Sequence, residues 1–307
     1  MSHRVRVSVP ASSANIGPGF DAFGLALDLR NTFVAEVADE WTVELSGEGA
    51  QTLPRDAGNP VAQAAARVFA EAGVRGGAHI RCDNRVPPGE GLGSSAAAVV
   101  GGLMLGDALS GAGLSHADIL ALATEIEGHP DNAAASLHGG FTVCWYDGAP
   151  RSLRIEPGCG LAVVLVRATH SLATTESRSL LPAEVPHADA AFNAGRAGLL
   201  VAAVSLGDEN ALAAGLTDRI HEPYRRAAIP DIELVRAALI DAGATGAVLS
   251  GAGPTMVGLV SAQDGDAARE RAARVAAAAT AAVTHLPHRH PPFALGIDMS
   301  GATVERM

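Results

Sequence analysis

The chain has 307 residues and a formal net charge of −11, long enough for two cores at about 100–200 residues each. All 22 of its lysine-plus-arginine cations are arginine, which excludes chemistries built on lysine: the Walker A loop, the protein-kinase strand lysine and Schiff-base catalysis. An isoelectric point near 5.4 argues against a polyanion, so small molecules rather than nucleic acid are the expected partners. Three cysteines, Cys82, Cys144 and Cys159, form neither a C-x-x-C pair nor an even set, which points to a reducing, cytoplasmic setting. Neither a signal peptide nor a membrane-length apolar run is found, and no membrane association is expected.

Along the chain, R-V-R-V-S-V at Arg4–Val9 alternates with the period of a strand and leads into an expected loop, Pro10–Asp21. Strand-like segments follow at Thr32–Val37 and Thr42–Leu45, a helix at Pro60–Ala72 and a strand at Ala78–Asn84. PPGEGLGSSAAAVVGG then reads as a glycine loop opening a closely packed helix. A helix over His116–Glu127, N-capped by Ser115, is broken by GHPDN before Ala133–Leu137. W-Y-D-G-A-P-R reads as a turn between strands and sets the expected domain boundary, 1–150 and 151–307. The second half has a fully apolar strand at Leu161–Val166, a polar helix or loop at Thr174–Arg178 and a helix at Ile232–Ala242. Two strands joined by a Gly-Pro loop in GAVLSGAGPTMVGLV, a helix at Asp266–Val283 and a closing strand at Ala294–Asp298 complete an α+β pattern.

Three segments carry candidate chemistry. Gly89, Gly91 and Gly93 followed by Ser94 and Ser95 would let backbone amides and a helix N-terminus hold phosphate without lysine; a tight turn needing φ > 0 is the plain alternative. Glu127 and Asp131 bracket a helix break, and magnesium held with a nucleotide takes one or two such carboxylates; a helix end and turn is the other reading, with His129 a structural imidazole. Asn15 and Asp21 flank Gly17-Pro18-Gly19, where they would either bind a substrate hydroxyl or satisfy the loop's own amides. His285, His288 and His290, around LPHRHPP at 286–292, fit an exposed proline-rich turn better than a metal site.

Together, VPASSANIGPGFDAFGLAL, PPGEGLGSSAAAVVGG and GAVLSGAGPTMVGLV resemble, in order, the three signature motifs of the GHMP kinases, which phosphorylate galactose, homoserine, mevalonate and phosphomevalonate. SANIGPGFD, EGHPDN with HGG, T-x-x-x-R-x-x-L-P at Thr174–Pro182 and HEPYR at 221–225 are most similar to the homoserine kinases of that superfamily. The resemblance implies a two-domain GHMP kinase fold, with a ribosomal protein S5-like N-terminal domain and a ferredoxin-like C-terminal domain. It implies ATP-dependent phosphorylation of L-homoserine in threonine biosynthesis, with ATP and Mg²⁺ required and a homodimer expected. It further implies that Pro87, Pro88, Gly89, Glu90, Gly91, Leu92, Gly93, Ser94, Ser95, Ala96 and Ala97 bind ATP, and that Glu127 with Ser95 holds the metal. Thr174 would lie near the metal and γ-phosphate, while Asn15 and Asp21 would contact the reacting hydroxyl. Asp131 and His129 would meet the substrate's amino group, and Arg178 and Arg225 its carboxylate. Ser12 stands where threonine is commoner, and the 286–292 segment has no counterpart in the pattern.

Overall fold

In the computed structural model, which describes residues 4–170, 172 and 174–307, the leading strand β1 spans Val5–Ala14. It therefore continues through much of the expected loop. The alternating Val5, Val7 and Val9 point into the core, and a register shift between Pro10 and Ala11 absorbs the proline. Beyond it Ser12 and Ser13 stay extended although both are fully buried, because their hydroxyls meet Asn132 and Ser250.

Then come β2 (Phe23–Ala38), β3 (Thr42–Gly47), helix α1 (Pro60–Glu71) and β4 (Gly77–Asn84). Next are α2 (Ser94–Ser110), α3 (His116–Glu127), α4 (Asp131–His138), β5 (Phe141–Asp147) and β6 (Ala149–Ile155). Local chemistry sets several boundaries: Asn59 caps α1 through the Val61 amide with Pro60 at its start, and Ser115 with Asp118 forms a capping box on α3. Helix α2 lies against α1 because it presents glycine there; a Cβ on Gly102 would stand 2.3 Å from the Val61 carbonyl oxygen.

The second half holds β7 (Gly160–Val166), α5 (Thr174–Ser179), α6 (His187–Leu206), α7 (Glu209–Gly215), α8 (Glu222–Arg225) and α9 (Ile232–Asp241). It ends with β8 (Gly246–Leu249), β9 (Met256–Ala262), α10 (Gly265–Thr284), β10 (Phe293–Gly296) and β11 (Thr303–Arg306). The first sheet runs β11-β1-β2-β4-β3, with β5 on β2 and β6 on β5, and only its β3–β4 pair is parallel. The second is antiparallel, ordered β10-β7-β9-β8. Strand β7 is apolar throughout because both its faces are covered: Ala162, Val164 and Val166 pack under α9 and α10, while Leu161, Val163 and Leu165 share a core with α6 and β2.

The boundary expected at 150/151 falls inside the β5–β6 hairpin, where Tyr146 pairs with Pro150 and Phe141 with Ile155. The first sheet thus keeps the chain to Ile155 and regains it at the end, when β11 pairs with β1 from Val5↔Arg306 to Ser8↔Thr303. The histidine segment serves as a strap, since its Arg289 forks onto Asp231 at 2.7 and 2.6 Å and donates to the Pro254 carbonyl. Among the described residues no group of three or more His, Cys, Asp or Glu is placed to hold a metal, and no helix is long and apolar enough to cross a membrane.

Candidate active site

A cavity of about 180 Å³ opens where the loop before α2, the end of α3, the first loop, α5, α8 and the β8–β9 loop converge. Of the expected phosphate-binding stretch, Gly89, Gly91, Leu92, Gly93, Ser94, Ser95 and Ala96 line it. Pro87, Pro88, Glu90 and Ala97 do not. Ala97 is already in the first helical turn, its amide bonded to the Gly93 carbonyl, and the Glu90 carboxylate turns to Arg167 at 3.2 Å. Burial raises the Glu90 carboxyl above its usual range despite Arg167 and His290.

The loop is held by the other two motifs. The Ser12 amide donates to the Leu92 carbonyl at 3.1 Å, and the Ser250 hydroxyl donates to the Gly91 carbonyl at 2.6 Å. Gly93 occupies the N-cap of α2 at φ 65°, and no side chain caps the helix. The amides and positive end of this 17-residue helix therefore face the cavity, with Glu127 reaching only the Ser95 hydroxyl in its first turn.

At the end of α3, Glu127 accepts a 2.6 Å hydrogen bond from Ser95. Burial pushes its carboxyl upward, opposed by Ser95 and His129 and reinforced by Asp131. His129 lines the cavity and meets Asp131 through Nδ1 at 2.7 Å. Burial pulls this imidazole down, but the hydrogen bond and charge of Asp131 outweigh it, and its pKa lies above the ordinary value. Asp131 itself stands behind His129, 1% exposed, with Oδ1 also receiving the Asn132 amide and buried Oδ2 left without a partner.

Opposite, Asn15 and Asp21 are both in left-handed backbone, φ 57° and 54°, and the Asn15 side-chain oxygen accepts the Asp21 amide at 2.8 Å. That bond leaves the Asn15 side-chain NH₂ for the cavity. Asp21 is gripped by Arg178, whose two terminal nitrogens lie 3.0 and 2.5 Å from its carboxylate. Arg225 differs: only 1% exposed, it donates from Nη1 to His221 Nδ1 at 2.9 Å and to the Gly251 carbonyl at 3.1 Å, while its Nε finds no partner among the described residues. Among the described residues no carboxylate forms an ion pair with it; burial, then the nearby Arg178, lowers its pKa. Both guanidiniums lie near the Phe20 ring, at 5.4 Å for Arg178 and 5.6 Å for Arg225.

The structure thus brings Asn15, Glu127, His129, Arg178, Arg225 and the glycine loop to one cavity, with Asp21 and Asp131 attached through their partners. Thr174 opens α5, and its side chain lies outside the described residues. Sequence reasoning passed over Phe20, His221, Asn132, which lines the cavity, and the 251–253 loop that closes it. Their signals were present: GAGPT is the third glycine-rich segment and His221 opens HEPYR.

Comparison with known proteins agrees with this architecture. Residues 59–140 match the model for the GHMP kinases N terminal domain, and 199–278 the one for the GHMP kinases C terminal region. The homoserine kinase of Streptomyces coelicolor is 44% identical over 306 residues, covering 98% of this chain and 94% of its own length. That of Streptomyces avermitilis is 45% identical over 282 residues, 89% of each chain. Among solved structures, homoserine kinase from Cytophaga hutchinsonii superposes with a TM-score of 0.86 at 28% identity, covering 99% of this chain and 98% of that one.

Proposed function

Since this chain belongs to the GHMP kinase family, as one of its homoserine kinases, we propose that it transfers the γ-phosphoryl group of ATP to the side-chain hydroxyl of L-homoserine. The products are O-phospho-L-homoserine and ADP, in threonine biosynthesis. The observation that carries this reading is Arg225, a buried guanidinium with no carboxylate paired to it among the described residues, in the same cavity as an uncapped helix N-terminus. A buried charge without a partner is costly, so its presence at a cavity wall argues for an anion brought by the ligand.

ATP and Mg²⁺ fit the residues present. A Cβ on Gly93 would stand 2.1 Å from Ser12 Oγ and one on Gly91 2.5 Å from the Ser250 carbonyl oxygen, so the bare backbone is what lets this loop sit against its supports and face phosphate. Ser95 and Glu127 offer two hard oxygen donors 2.6 Å apart beside that loop, the set Mg²⁺ takes when phosphate and water complete its shell. When bound, Mg²⁺ supplies positive charge to the phosphate oxygens, and Glu127 with Ser95 would hold it.

The remaining work falls to side chains. Asn15 donates to the substrate hydroxyl and Asp21 accepts from it, which fixes the direction of attack. Phosphoryl transfer through a loose transition state leaves the hydroxyl proton in place until late, so alignment by Asp21 counts for more than its strength as a base. Asp131, buried behind His129, supplies the negative charge that the substrate's ammonium meets through that imidazole. Arg225, with Arg178 turning part of its fork away from Asp21, takes the carboxylate. A homodimer and a cytoplasmic location accompany the reading as proposals, to be checked by light scattering and by fractionation. An ADP-release assay across L-homoserine, L-threonine, L-serine and mevalonate is the deciding test. Turnover is expected with homoserine, and turnover with mevalonate but not homoserine would overturn the assignment.

A further inference from the structure

We propose that His221 is a positioning residue, which as the neutral Nε2–H tautomer aims Arg225 at the substrate carboxylate and ties it to the first loop. The inference rests on the reading of Arg225 as the carboxylate-binding cation. His221 is fully buried, and its two ring nitrogens face partners of opposite kind. Nδ1 lies 2.9 Å from Arg225 Nη1, and Nε2 lies 2.7 Å from the carbonyl oxygen of Gly17. A guanidinium nitrogen can only donate and a carbonyl oxygen can only accept. So Nδ1 must carry the lone pair and Nε2 the proton. A ring protonated on both nitrogens would set N–H against N–H at Arg225, beside a charge already unpaired and buried.

The imidazole cannot adapt by moving, because α8 is pinned at several points. Both oxygens of buried Asp218 receive backbone amides, from Ile220 on Oδ1 and from His221 and Glu222 on Oδ2, and Oδ1 also receives the Asn193 amide group. Glu222 in turn accepts the Leu249 amide at 2.7 Å and Arg236 at 2.6 Å. One ring face is stacked on Phe20, centroids 5.5 Å apart at 27°, and Phe20 is the ring near which both guanidiniums lie. His221 thus connects the loop carrying Asn15 and Asp21 to the cation on the far side of the cavity. It touches no reacting atom itself; its effect passes through Arg225.

Two measurements test this. In protein labelled with ¹⁵N-histidine, the His221 resonances should show a protonated Nε2 and a bare, hydrogen-bond-accepting Nδ1 at the pH of the assay. A proton on Nδ1 overturns the proposal. The second is a pair of variants that divides the two bonds: His221→Asn keeps an acceptor where Nδ1 stands, and His221→Gln keeps a donor where Nε2 stands. A hydrogen bond to a charged group is worth enough to predict that His221→Gln raises the KM for homoserine about tenfold or more. The KM for ATP should stay within about twofold, and His221→Asn should restore most of the homoserine KM. Equal rises in both KM values for both variants, or an unchanged homoserine KM in His221→Gln, refute it. Should either variant fail to fold, the wild-type resonances still decide. Wild-type protein that leaves homoserine unphosphorylated refutes the functional reading; wild-type turnover with Nδ1 protonated refutes this inference alone.

Discussion

Two glycines in left-handed backbone at opposite ends of the same helix separate conformational strain from close approach. Gly93 opens α2 at φ 65° and Gly111 closes it at φ 72°. At Gly111 an added Cβ meets nothing within 4 Å, so Gly111→Ala exposes only the left-handed penalty, about 1 kcal/mol after the gain from a stiffer unfolded chain. At Gly93 the same atom would lie 2.1 Å from Ser12 Oγ and 3.0 Å from Asn132 Oδ1. Ser12 is fully buried, donates to Asn132 at 3.0 Å and accepts from Ser136 at 3.2 Å, so it cannot yield without breaking those bonds. At about 1 kcal/mol net for each bond, Gly93→Ala should cost about 3 kcal/mol in all. Calorimetry should then find Tm lowered by about 2 °C in Gly111→Ala and about 6 °C in Gly93→Ala. Because the displaced loop carries the amides at the helix N-terminus, the KM for ATP should rise at least about tenfold in Gly93→Ala and stay unchanged in Gly111→Ala. Equal losses of Tm, with an unchanged KM for ATP in both, would refute the account of the loop.

Removing the buried cation should exchange function for stability: Arg225→Met takes away a guanidinium that burial disfavours and that forms no ion pair among the described residues, and ligand-free protein should melt higher by about 1 kcal/mol equivalent, with homoserine turnover lost. A lower Tm would show that the contacts to His221 and Gly251 outweigh the burial of the charge. Glu127→Gln should act alike at the other end of the cavity. Its carboxyl pKa is raised in the folded chain, so its contribution to stability is fully present below the ordinary carboxylate range and is lost as pH rises through the higher folded value. In the ligand-free variant that loss of Tm with rising pH should shrink, and Mg²⁺-dependent activity should vanish. An unaltered pH profile would refute the cause assigned to the shift.

Where neighbours in sequence decide the structure, the sequence was readable. Asn59-Pro60 and the Ser115/Asp118 box mark the starts of α1 and α3, and the unbroken apolar run of β7 announces a strand covered on both faces. The continuation of β1 to Ala14 was not readable, because Ser12 and Ser13 are kept extended by Asn132 and Ser250, far along the chain. The return of the chain to the first sheet was hidden for the same reason: nothing local in Thr303–Arg306 says that it pairs with β1. Helix α6 was missed although Asn193, Leu200 and Val204 form a buried stripe at helical spacing between Pro186 and the closing Gly207.

Within the candidate site, the family resemblance pointed to residues that the fold gathers at one cavity but not to their couplings. Arg178 and Arg225 look equivalent in sequence, yet one is paired with Asp21 across 157 residues, and the other, among the described residues, forms no ion pair and feels Asp21, Asp218 and Glu222 only at a distance. Electrostatics gives this difference a direction. Burial raises Glu127 and lowers Arg225, so each is held against its own charge by the protein around it. A cation at Glu127 and an anion at Arg225 relieve both costs, and magnesium nucleotide with an amino-acid carboxylate is a pair of ligands that brings one of each.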